Sequence, residues 1–285
     1  MAEDWLPLFL AEEALPESFR ETIEAICLPL AAHAAALHDA RRRTVVLGLC
    51  GAQGSGKTTV GAAVARLLQA RGLTAQALSL DDVYLSGARR RRLAQEIHPL
   101  LAARGPPGTH DVTLACATLD QLHTAGEVAL PAFDKAADEP RPRTAWRTLV
   151  TPVDVVLFEG WCVGAVPEPA AALARPVNPL EAEEDPNGSW RAYVNAALSG
   201  AYQGLFARLD LLALLQAPSF EVVLGWRLEQ EHKLIARRGR GMDDSSVARF
   251  IAHYERLTRW ILAEMPARAG LVFALGPDRR PLAAG

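Results

Sequence analysis

The sequence predicts an α/β fold with a mainly parallel sheet. Short β-branched and apolar runs, of the kind that form strands buried on both faces, recur along the chain. Longer segments between them carry apolar residues at helical spacing, and strands that alternate with helices favour a parallel sheet. Half of the 285 residues are apolar and 22% are charged, so we expect residues 1–285 to form a single globular domain.

The predicted strands follow one another with helices in between. They cover residues 44–50, 74–80, 153–158, 210–215 and 271–275. Helical patterns follow the glycine-rich turn after the first strand, start at Asp111, and cover about 189–209, about 219–236 and the residues after 243.

Three other regions have a less regular pattern. Residues 1–40 form an alanine-rich helical extension, which Pro7, Pro16 and Pro29 should divide into pieces. Residues 134–150 and 164–188 are rich in Pro, Arg and acidic residues, and we expect them to be surface loops of the same domain.

The composition argues against several classes of protein. A formal net charge of -3 gives no global basic field, so nucleic acid is not an expected partner. The four cysteines are far apart and form no metal-binding spacing, which is typical of reduced thiols in a cytoplasmic protein. The first residues do not read as a signal peptide, and no apolar stretch is long enough to predict a membrane span.

Residues 51–58 read GAQGSGKT, a complete GxxxxGK[ST] motif between a predicted strand and a predicted helix. Glycines let the backbone N–H groups surround a phosphate, and the helix N-terminus adds a partial positive charge. A chance glycine-rich turn that caps a helix is the alternative. The motif predicts that a nucleoside triphosphate is bound by Gly51, Gln53, Gly54, Ser55, Gly56, Lys57, Thr58 and Thr59.

Carboxylates are expected beside this loop. The second strand ends in Asp81 and Asp82 and the third in Glu159, and the carboxyl ends of neighbouring parallel strands meet at one edge of a sheet. A carboxylate there can take the proton of an attacking hydroxyl or hold Mg²⁺, while Lys57 neutralises phosphate charge and Thr58 offers its hydroxyl to Mg²⁺. A turn or a helix N-cap is the alternative role of either aspartate. The chain has no Asn-Lys pair of the guanine-specific kind and no Asp-Glu end to the third strand, which argues against a GTPase and a motor ATPase.

Two further motifs could form an acceptor site. Residues 104–111 read RGPPGTHD, a rigid loop that delivers Thr109, His110 and Asp111 to the start of a helix. The alternative is a plain connection in which Asp111 caps the helix and His110 is solvated. Residues 131–135 read PAFDK, and Lys135 with the nearby Arg141 and Arg143 could clamp an anionic substrate or face solvent.

The motifs occur in the order GAQGSGKTT, SLDDVYL, RGPPGTHD, PAFDK, VVLFEGW and GWRLEQE…GRGMDD. This series resembles the D-glycerate 3-kinase family over roughly residues 44–276, and it is more distantly similar to uridine kinase, pantothenate kinase and phosphoribulokinase. The resemblance implies a P-loop NTPase fold with three layers, α/β/α, and a helical lid at about 225–245. It also implies that ATP and Mg²⁺ serve to phosphorylate the 3-hydroxyl of D-glycerate, giving 3-phosphoglycerate and ADP.

The resemblance assigns a role to each motif. Asp81 matches the base, and with Lys57 and Glu159 it makes the predicted catalytic set; Glu159 is also a candidate to order Mg²⁺. The residues predicted to bind the anionic acceptor are Asp82, Tyr84, Thr109, His110, Asp111, Lys135 and Arg143. The lid would carry Arg227, Arg237 and Arg240, with Arg237 predicted to bind the nucleotide and a basic helix end as the alternative. We expect Arg89–Arg92 to form a solvated helix face, with a substrate role as the alternative.

Two positions depart from the family pattern. Val83 stands where the family has an aromatic residue, and residues 136–141 replace a serine and a glycine-rich stretch of the plant members. Two alternatives therefore stand beside glycerate phosphorylation. One is a P-loop kinase for pantothenate, a nucleoside or a sugar phosphate, and the other is a regulatory ATPase without a small acceptor.

Overall fold

The computed structural model of the chain describes residues 5–239 and 241–282. In chain order its strands are β1 (Val45–Gly51), β2 (Ala75–Ser79), β3 (Gly126–Leu130), β4 (Phe133–Asp134), β5 (Glu139–Pro140), β6 (Arg147–Thr151), β7 (Val155–Gly160), β8 (Leu211–Gln216) and β9 (Leu271–Ala274). The central sheet has the order β2-β7-β1-β8-β9, and all its neighbouring strands run parallel. All five predicted strands are confirmed, each with bounds that differ from the prediction by at most two residues.

In chain order the α-helices are α1 (Trp5–Glu12), α2 (Phe19–Thr22), α3 (Leu28–Arg41), α4 (Lys57–Ala70), α5 (Gly87–Glu96), α6 (Val112–Leu122), α7 (Pro179–Glu184), α8 (Ser189–Ser199), α9 (Ala201–Phe206), α10 (Glu221–Arg238), α11 (Asp244–Ala252) and α12 (Glu255–Glu264). None of the helices in the described part of the chain is both long and apolar enough to cross a membrane.

The central strand β1 carries side chains into two cores. Leu47 and Leu49 belong to a core built with α3, α4 and α10, whereas Val46 and Cys50 belong to a core built with α6, α9 and α12. Successive residues of a strand point to opposite faces, so an entirely apolar strand needs a helical layer on each side. The predicted three-layer α/β/α fold is thereby confirmed.

The N-terminal extension is less divided than predicted. Pro16 lies between α1 and α2, as expected, but Pro7 lies inside α1 and Pro29 in the first turn of α3. A π-helical turn at Ile23–Cys27 joins α2 to α3, so the helical path is unbroken from 19 to 41. A proline lacks the N–H that would bond to the preceding turn, and a wider π-turn just before it accommodates that loss.

The region 134–150 is more ordered than a surface loop. Its β6 pairs with β3 in antiparallel fashion, and β4 and β5 form a short hairpin. Two predicted helices are also divided, the first at Gly200 between α8 and α9, and the last at His253 and Tyr254 between α11 and α12. The hairpin matters most, because it carries Lys135 toward the end of β2.

Candidate active site

The GxxxxGK[ST] motif forms a loop between β1 and α4, as predicted. Its backbone is left-handed at Gly54 (φ +77°) and at Gly56 (φ +88°), a conformation that residues other than glycine rarely adopt. Helix α4 begins at Lys57 directly after Gly56, so its first N–H groups stand at the loop.

Helix α10 rests on this loop. A Cβ added at Gly54 would lie 2.8 Å from the Cβ of Trp226, so that only glycine fits there. The Trp226 indole in turn donates a hydrogen bond to the carbonyl of Pro277, at 2.6 Å. Trp226 of α10 therefore contacts both the loop and the chain that follows β9.

The polar groups of the loop are largely unused within the protein. Lys57 Nζ donates to the carbonyl of Ala52 at 3.0 Å. The buried Ser55 Oγ and the side-chain amide of Gln53 have no hydrogen-bond partner among the described residues. Buried polar atoms are normally paired, so these groups fit a loop that has a polar ligand to bind. Thr59 lies in the first turn of α4.

Glu159 stands at the same edge of the sheet. It is 8% exposed at the end of β7, and its Oε1 accepts a hydrogen bond from Thr58 Oγ1 at 3.1 Å. The register pairs Glu159 with Ser79 of β2, two residues before Asp81. The sheet thus brings the phosphate-binding loop, Glu159 and the two aspartates to one edge, as the sequence predicts.

Asp81 has a different partner on each carboxylate oxygen. Oδ1 accepts from the Tyr84 hydroxyl at 2.8 Å, and Oδ2 from Lys135 Nζ at 2.6 Å. Burial would raise the pKa of Asp81, but the charge of Lys135 and these hydrogen bonds outweigh burial and lower the pKa. Asp82 has no such cation in contact, and burial together with the charges of Asp81 and Glu159 raises its pKa to about 6. The two neighbouring aspartates therefore differ in protonation chemistry.

Tyr84 and His110 form a buried aromatic support beneath Asp81. Their rings stack with centroids 4.4 Å apart, and Phe133 packs edge-on against Tyr84 at 5.4 Å. His110 Nδ1 lies 2.6 Å from the hydroxyl of Tyr202. Burial lowers the pKa of His110 to about 4, so the imidazole is neutral near pH 7. The alternative of a solvated His110 is wrong, since the residue is 5% exposed.

The neighbours of His110 have roles within the loop and the helix. Thr109 is fully buried, and its hydroxyl donates to the Pro106 carbonyl at 2.7 Å, so it shapes the loop and does not face solvent. Asp111 caps α6 by accepting from the Leu114 N–H at 3.0 Å, as in the alternative interpretation, and it also pairs with Arg89 at 2.6 Å. Binding of the acceptor by Thr109 or Asp111 stays a prediction.

An ion cluster that includes one buried arginine lies behind the β4–β5 hairpin, and no motif in the sequence predicts it. Arg90 is 1% exposed and pairs with Asp138 at 2.5 Å, and Arg104 pairs with the same carboxylate. Both guanidinium groups lie over the Phe133 ring, at 6.0 and 5.8 Å from its centroid. The expectation that 89–92 forms a wholly solvated face is therefore wrong for Arg90, because the hairpin covers it.

The remaining predicted cations lie apart from this cluster. Arg143 is exposed and lies over the ring of Trp146, with its Cζ 5.3 Å from the ring centroid. Arg227 pairs with the buried Glu231 at 2.5 Å and lies over Phe250, so its charge is engaged within the protein. The side chain of Arg237 and all of Arg240 lie outside the described residues.

Proteins similar to this chain are kinases. The chain is 35% identical over 224 residues to a Schizosaccharomyces pombe protein called uncharacterized kinase mug58, and the match covers 74% of this chain and 79% of that protein. It is 29% identical over 220 residues to the chloroplastic D-glycerate 3-kinase of Arabidopsis thaliana, covering 74% of this chain and 46% of the plant protein. No protein-family model matches the chain.

A solved structure shares the fold. The D-glycerate 3-kinase of Cryptococcus neoformans superposes with a TM-score of 0.76 and 26% identity, covering 91% of this chain and 98% of the other. The match to the S. pombe kinase exceeds 30% identity and covers more than two thirds of that protein. The chain therefore belongs to the D-glycerate 3-kinase family, and it is an ATP-dependent P-loop kinase of a small molecule.

Proposed function

We propose that the chain transfers the γ-phosphoryl group of ATP to the 3-hydroxyl of D-glycerate. The observation that carries the proposal is the contact of Asp81 Oδ2 with Lys135 Nζ at 2.6 Å, next to the edge of the sheet that holds the phosphate-binding loop. A small hydroxy acid brings a hydroxyl and a carboxylate within a few bonds of each other. Asp81 can accept the proton of the hydroxyl, and Lys135 can pair with the carboxylate.

Asp81 and Lys57 have different parts in the proposed chemistry. Asp81 takes the proton of the acceptor hydroxyl, whose oxygen forms a bond to the γ-phosphorus while the bond to the β,γ-bridging oxygen breaks. Lys57 lies at the loop to neutralise the charge on the β- and γ-phosphates. The products are ADP and 3-phosphoglycerate, and the proton leaves Asp81 for solvent.

The oxygen atoms near the loop fit a magnesium ion. Mg²⁺ is bound through one or two carboxylates or hydroxyls together with the phosphates and water, and Thr58 with Glu159 supplies such a pair. When bound, the ion would neutralise phosphate charge. Thr58 and Glu159 are hydrogen-bonded to each other, which holds both side chains toward the loop.

A panel of acceptors tests the proposal. ADP release and the phosphorylated product are measured with D-glycerate, L-glycerate, glycerol, pantothenate, uridine and ribulose 5-phosphate. We expect D-glycerate to be used with the highest kcat/KM. A nucleoside or pantothenate as the best acceptor would reject glycerate but keep the kinase. ATP hydrolysis that no small acceptor stimulates would favour a regulatory ATPase.

A further inference from the structure

The two partners of Asp81 differ in their freedom to move. Tyr84 is 5% exposed, and it is held by its stacking on His110 and its edge contact with Phe133. The Lys135 side chain is 60% exposed, and its ammonium group is carried by a flexible stem of four carbons. The first partner is therefore fixed, whereas the second can leave.

The backbone beneath Lys135 is nevertheless anchored. Asp134 Oδ1 accepts from the N–H groups of Ala136 at 2.9 Å and Ala137 at 3.1 Å, which closes the turn of the hairpin. Asp138 is held on the other side of the turn by the buried Arg90. Because the turn is fixed at both ends, only the lysine side chain has to move to change its partner.

Each carboxylate oxygen of Asp81 already accepts one hydrogen bond. Oδ1 of Asp81 is occupied by Tyr84 and Oδ2 by Lys135, which leaves the hydroxyl of an acceptor to compete with a cation for Oδ2. A neutral alcohol or a water molecule cannot replace Asp81 as an anionic partner of the lysine. A carboxylate can, because it pairs with the same ammonium group as a second anion.

We propose that Lys135 masks Asp81 in the resting enzyme, and that the carboxylate of the acceptor removes the mask by taking the lysine for itself. This inference rests on the proposed function, and it makes Lys135 a determinant of specificity for small hydroxy acids over neutral alcohols. The exchange turns the pair Asp81–Lys135 plus a free carboxylate into a free Asp81 plus the pair carboxylate–Lys135, with no change in total charge. Oδ2 then accepts the hydroxyl proton as the oxygen bonds to phosphorus.

The exposure of the pair makes the exchange feasible. An ion pair with one partner more than half exposed is weakened by water and salt, so a competing anion can displace it. The protein gains selectivity from this weakness: without an anion in place, the base stays covered and ATP is protected from attack by water.

The first experiment compares wild type with Lys135→Met without any acceptor. We expect the variant to hydrolyse ATP about 100-fold faster, at the low end of the range for a general base made available. Adding Asp81→Asn to Lys135→Met should abolish the gain, because the exposed base is what activates water. Arg92→Met, which removes a cation from an exposed ion pair on α5, should leave the rate unchanged. Equal hydrolysis by wild type and Lys135→Met would overturn the masking.

A second experiment uses an anion that cannot be phosphorylated at the reacting position. D-lactate has the carboxylate of D-glycerate and lacks its 3-hydroxyl, so it should draw Lys135 away and stimulate ATP hydrolysis by wild type several-fold. It should have no effect on Lys135→Met. Stimulation that persists in Lys135→Met would assign the anion to another cation and reject the exchange.

The third measurement is a ratio of acceptors. In Lys135→Met, kcat/KM for D-glycerate should fall by about 100-fold while that for glycerol is unchanged or rises. A purely structural role would lower both values together, and the melting temperature of each variant identifies that case. If wild type forms no phosphorylated glycerate, the proposed function fails, yet the comparison of ATP hydrolysis still decides whether Lys135 covers the base.

Discussion

The phosphate end and the acceptor end of the site are built in different ways. The phosphate end is one continuous segment, 51–59, whose backbone geometry is set by glycines and by the start of α4. The acceptor end combines the end of β2, the loop before α6 and the β4–β5 hairpin, three segments that are far apart in the sequence. A local motif carries its own geometry, whereas an assembled site depends on packing and on buried polar contacts.

The strongest test of this difference compares Lys57→Met with Asp81→Asn. Lys57→Met should lower kcat/KM by about 10³-fold and also weaken ATP binding, since it removes charge from the phosphates. Asp81→Asn should lower kcat by about 10²- to 10⁴-fold and leave the affinity for ATP intact, since it removes only the base. Kinetics with D-glycerate together with calorimetric titration of ATP separates the two outcomes. Near-normal turnover of Asp81→Asn would show that another residue is the base.

The next test concerns the buried support of the acceptor end. The pKa of His110 is lowered from 6.5 to about 4, so the unfolded chain binds a proton in this range while the folded protein does not. Stability should be full above pH 6.5 and fall as the pH drops toward 4, by about 3 kcal/mol from this group alone. His110→Asn should lose this part of the pH dependence.

Urea unfolding of wild type and His110→Asn at pH 7.5 and at pH 4.5 provides the measurement. The difference between the two proteins at pH 7.5 reports the packing lost with the imidazole, and the change in that difference at pH 4.5 reports protonation. An identical pH dependence in both proteins would show that protonation of His110 does not cause the loss of stability at low pH.

The smallest expected effect concerns the hairpin. Arg90→Met keeps the contact with Phe133 but removes the buried cation from Asp138, which is half exposed and retains Arg104. We expect a loss of about 2 kcal/mol, below the range for two fully buried charges. KM for the acceptor should rise while KM for ATP is unchanged, because the hairpin serves only one end of the site.

Arg92→Met is the matched control for Arg90. Its side chain is 78% exposed and pairs with Glu96 on the same helix, so its loss should change stability by less than about 0.5 kcal/mol. If the two variants behave alike, burial of Arg90 contributes nothing and the hairpin is held by its backbone alone.

The sequence was sufficient for the sheet and for the phosphate end. The five strands are apolar runs whose neighbours are helices, and the loop at 51–58 is specified by residues within the loop itself. It was also sufficient to bring Asp81 and Glu159 to one edge, because parallel strands end together. These features follow from periodicity and from local backbone preference.

The acceptor end could be predicted only in part. An arginine in a run of four carries no mark of burial, and Arg90 is covered because a hairpin from elsewhere packs on it. Tyr202 pairs with His110 across 92 residues of sequence, and no spacing rule connects them. Gly200 could have indicated the division between α8 and α9, and Pro29 the π-turn before it, whereas no glycine or proline marks the division at His253 and Tyr254.

The strand order has a consequence for the time at which the enzyme can become active during its synthesis. β7 lies between β2 and β1, so the two strands made first share no hydrogen bonds and are joined only when 155–160 has left the ribosome. The other side of β1 waits for β8, where Leu215 pairs with Gly51. A nascent chain that already contains the whole nucleotide motif thus lacks β7 and β8, the two strands that flank β1. We therefore expect that ATP binding cannot aid folding until most of the protein has been translated.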